Sequence, residues 1–231
     1  MIIVMNTSMF QYVSDEEGII PVLKRVLARW DEVVRPCKRC KAYRIALHVS
    51  TQPLEKNVLA STLVTKFLYL GEHTFGNTFP MVGAIVLNAT YLYGSLKEEQ
   101  LYAVLLHEVG HVLGIGTLWY LPNAPLTPYQ ENNKEKYYYT GTAALREYKS
   151  YYPTSELVGI PLEDDGGEGT QDAHPEEDMN RMIDGKAHPG LQDELMTGWI
   201  NSLTSLSRIT LGFLEDMGYV VDYTKADPYL T

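Results

Sequence analysis

The sequence predicts an α+β fold on three observations. Amphipathic helices and alternating strands share residues 19–113. Residues 120–200 then lose that periodicity and are dominated by proline, asparagine, glycine and tyrosine. A last amphipathic helix follows at 204–217. The 231 residues suffice for a sizeable core and read as one domain or two closely packed lobes.

The chain opens on Met1-Ile2-Ile3-Val4-Met5 and turns polar at Asn6. It shows neither a charged n-region nor a full h-region, so this is not read as a signal peptide. No apolar run approaches the length of a membrane span. The expectation is a cytoplasmic protein, or one released without a signal peptide. Residues 19–35 carry Leu23, Val26, Leu27, Trp30 and Val34 at helical spacing, with Pro21 in the first turn. Cys37 and Cys40 then sit in a C-x-x-C that reads as a surface turn with free or paired thiols. A zinc knuckle needs four ligands and no second C-x-x-C exists. A thiolate that masks a catalytic metal is a remoter option.

At 43–50, Tyr43, Ile45, Leu47 and Val49 alternate with polar or small residues, which predicts a half-buried strand with His48 on its polar side. A strand near 63–70 is followed by turns around Gly71, His73 and Gly76. Residues 81–88 form another strand just upstream of the next helix, and it could be a sheet edge that pairs with an extended peptide. Ser95 and Glu98 fit a capping box for that helix. Leu101, Val104, Leu105 and Val112 give the helix an apolar face, and Gly114 can end it in the left-handed region. Residues 142–151 suit a short helix, and Tyr137-Tyr138-Tyr139 either line a cleft or pack against the body. Leu206, Ile209, Phe213, Leu214 and Met217 mark the inner face of the final helix, Gly218 stops it, and 219–223 is extended.

Chemistry concentrates at His107-Glu108-Val109-Gly110-His111. Residues four apart share a helix face, so two imidazoles can reach one metal while Glu108 stands beside a metal-bound water as general base. Neutral imidazoles suit zinc. Gly114 falls where the metzincin signature turns the chain toward a third histidine, but that position is Thr117 here, so a third protein ligand must come from further on.

Apolar residues make up 45% and charged residues 21%, which fits a globular chain. A net charge of -10 without a basic run argues against nucleic-acid binding.

Four ordered segments together resemble the leishmanolysin family of metzincin peptidases. They are His107 to Trp119, Gly166-Gly167-Glu168-Gly169-Thr170-Gln171-Asp172-Ala173-His174, Glu194-Leu195-Met196-Thr197-Gly198, and Leu206 to Tyr219; the helix ending Ala28-Arg29-Trp30-Asp31 is similar to the family's opening one. The resemblance implies a metzincin-like α+β fold. A twisted mixed sheet and the active-site helix would form an upper lobe (about 1–116), and an irregular loop-and-helix lower lobe would follow (about 117–231). It implies a zinc endopeptidase with one Zn2+ held by His107, His111 and His174, Glu108 as base and Met196 as the Met-turn. His188 lies closer to Met196 and is the alternative third ligand. Glu177 is a possible orienting acid. The expected partner is a peptide or protein substrate, with no nucleic acid or membrane, and the chain is expected to be a monomer. Two other readings stand beside this one: a silent zinc-binding module, and a hydrolase of small amides.

Overall fold

The computed structural model describes residues 5–15, 17–40, 42–165, 167, 169–179, 181–199 and 204–229. Residues 1–4 of the opening run, and Gly166 and Glu168 of the glycine-rich segment, lie outside these. In chain order the elements begin with β1 (Met5–Asn6), β2 (Phe10–Ser14), α1 (Ile20–Val33), β3 (Val34–Arg35), β4 (Ile45–Gln52), β5 (Ala60–Tyr69) and β6 (Thr78–Asn88). They continue with α2 (Ala89–Leu92), α3 (Glu98–Leu113), β7 (Leu126–Glu131), β8 (Lys134–Tyr139), α4 (Thr142–Tyr151) and β9 (Ile160–Pro161). The last are β10 (Met182–Ile183), β11 (Lys186–Ala187), α5 (Arg208–Asp216) and β12 (Val220–Val221). The expected α+β class, with a mixed sheet and several helices, is what the chain forms.

Among the described residues the main sheet runs β1-β2-β4-β6-β5. β2, β4 and β6 are mutually parallel, whereas β5 is antiparallel to β6. β6 therefore lies inside the sheet, and the expectation that residues 81–88 form its edge is corrected: the edge is β5. The apolar period explains the difference. β6 buries Phe79, Ile85 and Leu87, whereas β5 has no fully buried residue and exposes Leu63 and Tyr69. A half-wet strand belongs at an edge.

The helix α3 starts at Glu98, with its N-cap at Lys97, two residues after the proposed Ser95. Gln100 reaches back to accept from the Lys97 N–H at 3.0 Å, and Glu98 and Glu99 suit the positive end of the helix dipole. From Val104 through Leu113 every residue of this helix is buried. Such burial requires close packing around it. At Gly83 in β6 an added Cβ would stand 2.8 Å from Val112 Cγ1, so the glycine lets the helix lie directly on the strand. Gly114 ends α3 at φ +119°, in the left-handed region the sequence pointed to.

The irregular half is more regular than its composition suggested. β7 and β8 form a hairpin closed by Asn132 and Asn133, both at positive φ. The helix α4 occupies the expected span. Asp216 at the end of α5 caps it, accepting from Ala143 N at 2.8 Å and Ala144 N at 3.0 Å. Tyr138 and Tyr139 are buried, and Tyr139 packs on Trp119 and Phe213, with ring centroids 5.1 and 4.8 Å away, so this aromatic run serves the core. The final helix is shorter than 204–217, because Ser207 is its N-cap and accepts from Ile209 N at 2.9 Å. β12 pairs with β3 and ties the chain's end to α1.

Cys37 and Cys40 form a disulfide and are buried rather than on a surface turn. With the sulfurs bonded to each other, neither is a thiolate that could mask a metal. Among the described residues no helix is long and apolar enough to cross a membrane.

Helices α4 and α5 cross closely at Gly212, where an added Cβ would lie 2.4 Å from the Ala144 Cα. Backbone cannot swing aside as a side chain can. Gly212→Ala is expected to destabilise the fold by about 1–3 kcal/mol, read as a lowered urea midpoint at unchanged slope; an unchanged midpoint would show that the crossing tolerates a methyl group.

Candidate metal and catalytic site

α3 presents His107 and His111 on one face, one turn apart, as the spacing requires. A loop far along the chain brings His174 to them. The Nε2 atoms of His107 and His111 are 2.9 Å apart, those of His111 and His174 3.0 Å, and those of His174 and His107 3.2 Å. Each ring is held from behind by a backbone carbonyl. His107 Nδ1 meets Leu195 O at 2.8 Å, His111 Nδ1 meets Ile115 O at 2.9 Å, and His174 Nδ1 meets Thr170 O at 2.9 Å. A carbonyl only accepts, so each Nδ1 carries the hydrogen and each Nε2 turns a lone pair toward the other two.

Three converging lone pairs have no proton to share, and a cation is what such a donor set accommodates. Burial first, and then the neighbouring histidines, hold His107 well below the usual imidazole range. Burial lowers His111 as well, and burial followed by His111 brings His174 to about 3. The rings are therefore neutral at pH 7, the form that ligates metal.

Three local features make this convergence possible. Thr117, where a third histidine of the signature would stand, instead donates its hydroxyl to His111 O at 2.6 Å and closes the helix end. Gly116 has φ +71°, and a Cβ there would lie 2.3 Å from Ala173 O, so only glycine lets the His174 loop approach. Glu163 N donates to His174 O at 2.9 Å, and Leu162 bridges to Pro175. Met196 is fully buried, and an added Cβ at Gly110, between the two helix histidines, would lie 2.4 Å from its Sδ. The x-x of the motif thus includes a glycine because the methionine occupies that space.

His188 does not join the group. Its Nε2 meets Glu176 O at 3.0 Å in a different buried position. Glu177 does not orient His174 either, since Thr170 O fills that role. His48 pairs with Asp15 at 3.0 Å on the surface, and His73 packs edge-on against Tyr69.

Glu108 is buried beside the histidines, and burial pushes its carboxyl up to about 7 despite a hydrogen bond from Thr62. Thr62 Oγ1 donates to Glu108 Oε2 at 2.6 Å. The sequence reading missed Thr62 because a threonine in a strand carries no signal of its own; only the antiparallel register of β5 brings it over α3.

A mixed sheet with an antiparallel edge strand, packed on a helix that carries two of the three clustered imidazoles, is compatible with a metzincin-like peptidase fold. The chain belongs to the leishmanolysin family, whose model matches residues 42–230. That family is one of metallopeptidases, zinc-dependent in general, that act on peptides and proteins. The chain is similar to a leishmanolysin-like peptidase of Drosophila melanogaster, 35% identical over 85 residues, 36% of this chain and 11% of the fly protein. It is also similar to a leishmanolysin-like peptidase of Drosophila pseudoobscura pseudoobscura, 34% identical over 97 residues, 42% of this chain and 13% of that protein. The matched stretches thus span about a tenth of these relatives' length.

Behind the site, Glu194 is fully buried and accepts hydrogen bonds from Ser207 and Thr210, just before Leu195, whose carbonyl holds His107. Burial raises its carboxyl from 4.5 to about 7. The folded state therefore holds this proton more tightly than the unfolded state. The stability it contributes is full below about pH 4.5 and is lost as pH rises toward 7. Glu194→Gln is expected to remove about 2–3 kcal/mol of this decline, seen by comparing urea unfolding of the two metal-free proteins at pH 5 and 7.5; parallel pH profiles would show that Glu194 stays ionised in the fold.

Proposed function

We propose that the chain is a zinc-dependent endopeptidase domain that uses His107, His111 and His174 as ligands to one zinc ion and Glu108 as general base. The observation that carries this is the convergence of three Nε2 atoms within 2.9–3.2 Å, each ring anchored through Nδ1 to a carbonyl. When bound, zinc supplies Lewis acidity toward a substrate carbonyl and lowers the pKa of water. The protein's own residues do the rest. Glu108, desolvated and with a pKa near 7, accepts a proton from the attacking water and returns it to the departing amine. Thr62 fixes which way that carboxylate faces. Met196 gives the ligands an apolar floor.

The open edge of β5 offers unpaired backbone groups next to Glu108, and an extended peptide can add to it as a further strand. This favours peptides over small amides, and the intact base favours turnover over a silent binding module. The domain divides about residue 116 into an upper lobe with sheet and helix and a lower lobe that brings His174 and Met196 to the helix histidines. The Cys37–Cys40 disulfide favours an oxidising compartment over the cytoplasm.

Glu108→Ala is expected to keep its zinc, because the glutamate is no ligand, and to lose about 10²–10⁴ in turnover of a casein-type substrate. Near-normal turnover at matched zinc content would remove Glu108 from the role of base.

The two candidate third ligands separate cleanly. His174→Ala is expected to lose zinc and activity, while His188→Ala, whose ring contacts Glu176 O, keeps both. Metal analysis of the two purified variants decides between them, and zinc retained by His174→Ala but lost by His188→Ala would reverse the assignment.

A further inference from the structure

A second group of ligand-type side chains lies behind the His174 loop. Carboxylate oxygens of Glu163, Glu176 and Glu177 all fall within 4.8 Å of one another. Acidic clusters are common, and most are neutralised by nearby cations. Here two cations lie near, and of the three glutamates they pair only with Glu176. Arg181 pairs with Glu176 and Asp164, and Lys136 pairs with Asp164 and Glu131. Glu176 also accepts from Asp178 N at 3.0 Å.

Glu163 and Glu177 are left over. Glu163 is 1% exposed, and its Oε1 accepts from Asp164 N and Asp165 N at 3.0 Å each. Its Oε2 and the Oε2 of Glu177 are buried without a hydrogen-bond partner among the described residues. Carboxylates this close in a dry place repel, and a bare buried carboxylate is costly. Burial first, and then Glu163, hold the Glu177 carboxyl far above the usual carboxylate range. Counting Glu131, Asp164, Glu163, Glu176 and Glu177 against Arg181 and Lys136, the acids outnumber the bases.

We propose that Glu163 and Glu177, with Glu176 beside them, bind a divalent cation of the hard, oxygen-preferring class, calcium in particular. Every donor in the group is oxygen, which disfavours zinc and copper, and calcium tolerates irregular carboxylate arrangements that magnesium does not. Glu163 is bonded through its backbone to both His174 O and Asp172 N at 2.9 Å. The cation therefore clamps the start and the end of the loop that delivers His174. This site does not depend on peptidase activity, so its test stands apart from that of the zinc reading.

The test uses the whole zinc-supplied chain, freed of calcium by dialysis and titrated with CaCl2. Calorimetry is expected to find one calcium per chain. The melting temperature is expected to rise by roughly 5 °C or more at a hundredfold excess over Kd. Glu163→Gln and Glu177→Gln should each abolish both effects while keeping side-chain volume. Absence of calcium binding to the unsubstituted chain overturns the proposal whether or not the variants fold. Binding that survives both substitutions overturns it too, by placing the calcium on surface acids. A calcium-free Glu177→Gln protein more stable than the parent, together with no binding by the parent, identifies a shared proton between the two glutamates instead.

Discussion

The structure depends on three hydrogen bonds that aim three rings at one point. A histidine free to rotate offers either nitrogen to a neighbour. Once Nδ1–H is committed to a backbone carbonyl, the tautomer and the ring plane are both set, and Nε2 is left as the donor to a metal. The carbonyls come from Ile115, just past the left-handed turn at Gly114, from Thr170, one helical turn's length before His174, and from Leu195, beside the buried methionine. The glycines at 110, 114 and 116 serve these contacts, because each admits a neighbour that a side chain would exclude.

That geometry also sets the electrostatics. The imidazoles tolerate one another in a dry pocket because none carries a second proton, and the same dryness raises Glu108 toward 7. A carboxylate with that affinity can both take and release a proton near neutrality. Thr62 holds it from the sheet side, so this hydroxyl ties the edge strand to the helix.

Much of this was legible in the sequence. His107, Glu108 and His111 carry their geometry in their spacing, and the Gly114 turn and the 142–151 helix follow from local chemistry. What was not legible depends on partners distant in the chain. The β7–β8 hairpin escaped notice because the inward-facing Lys136 breaks the apolar alternation, its charge answered by Glu131 and Asp164 rather than by solvent. The capping residue of α3 was misplaced because Ser95 and Glu98 have the spacing of a capping box, while Gln100 satisfies the Lys97 amide instead. The sheet edge went to the wrong strand because strand order is a property of crossovers and not of local pattern. The choice between His174 and His188 rested on motif context, and only the fold shows that their rings occupy separate places.

The long separations within the site have a consequence for synthesis. His111 and His174 are 63 residues apart, and His107 and its Leu195 carbonyl are 88 apart. A chain still emerging from the ribosome holds the helical pair early, yet it has neither the third ring nor the anchor for the first until synthesis has passed Leu195. Assembly of the three-imidazole cluster therefore waits on residues made long after the helix that carries two of its rings.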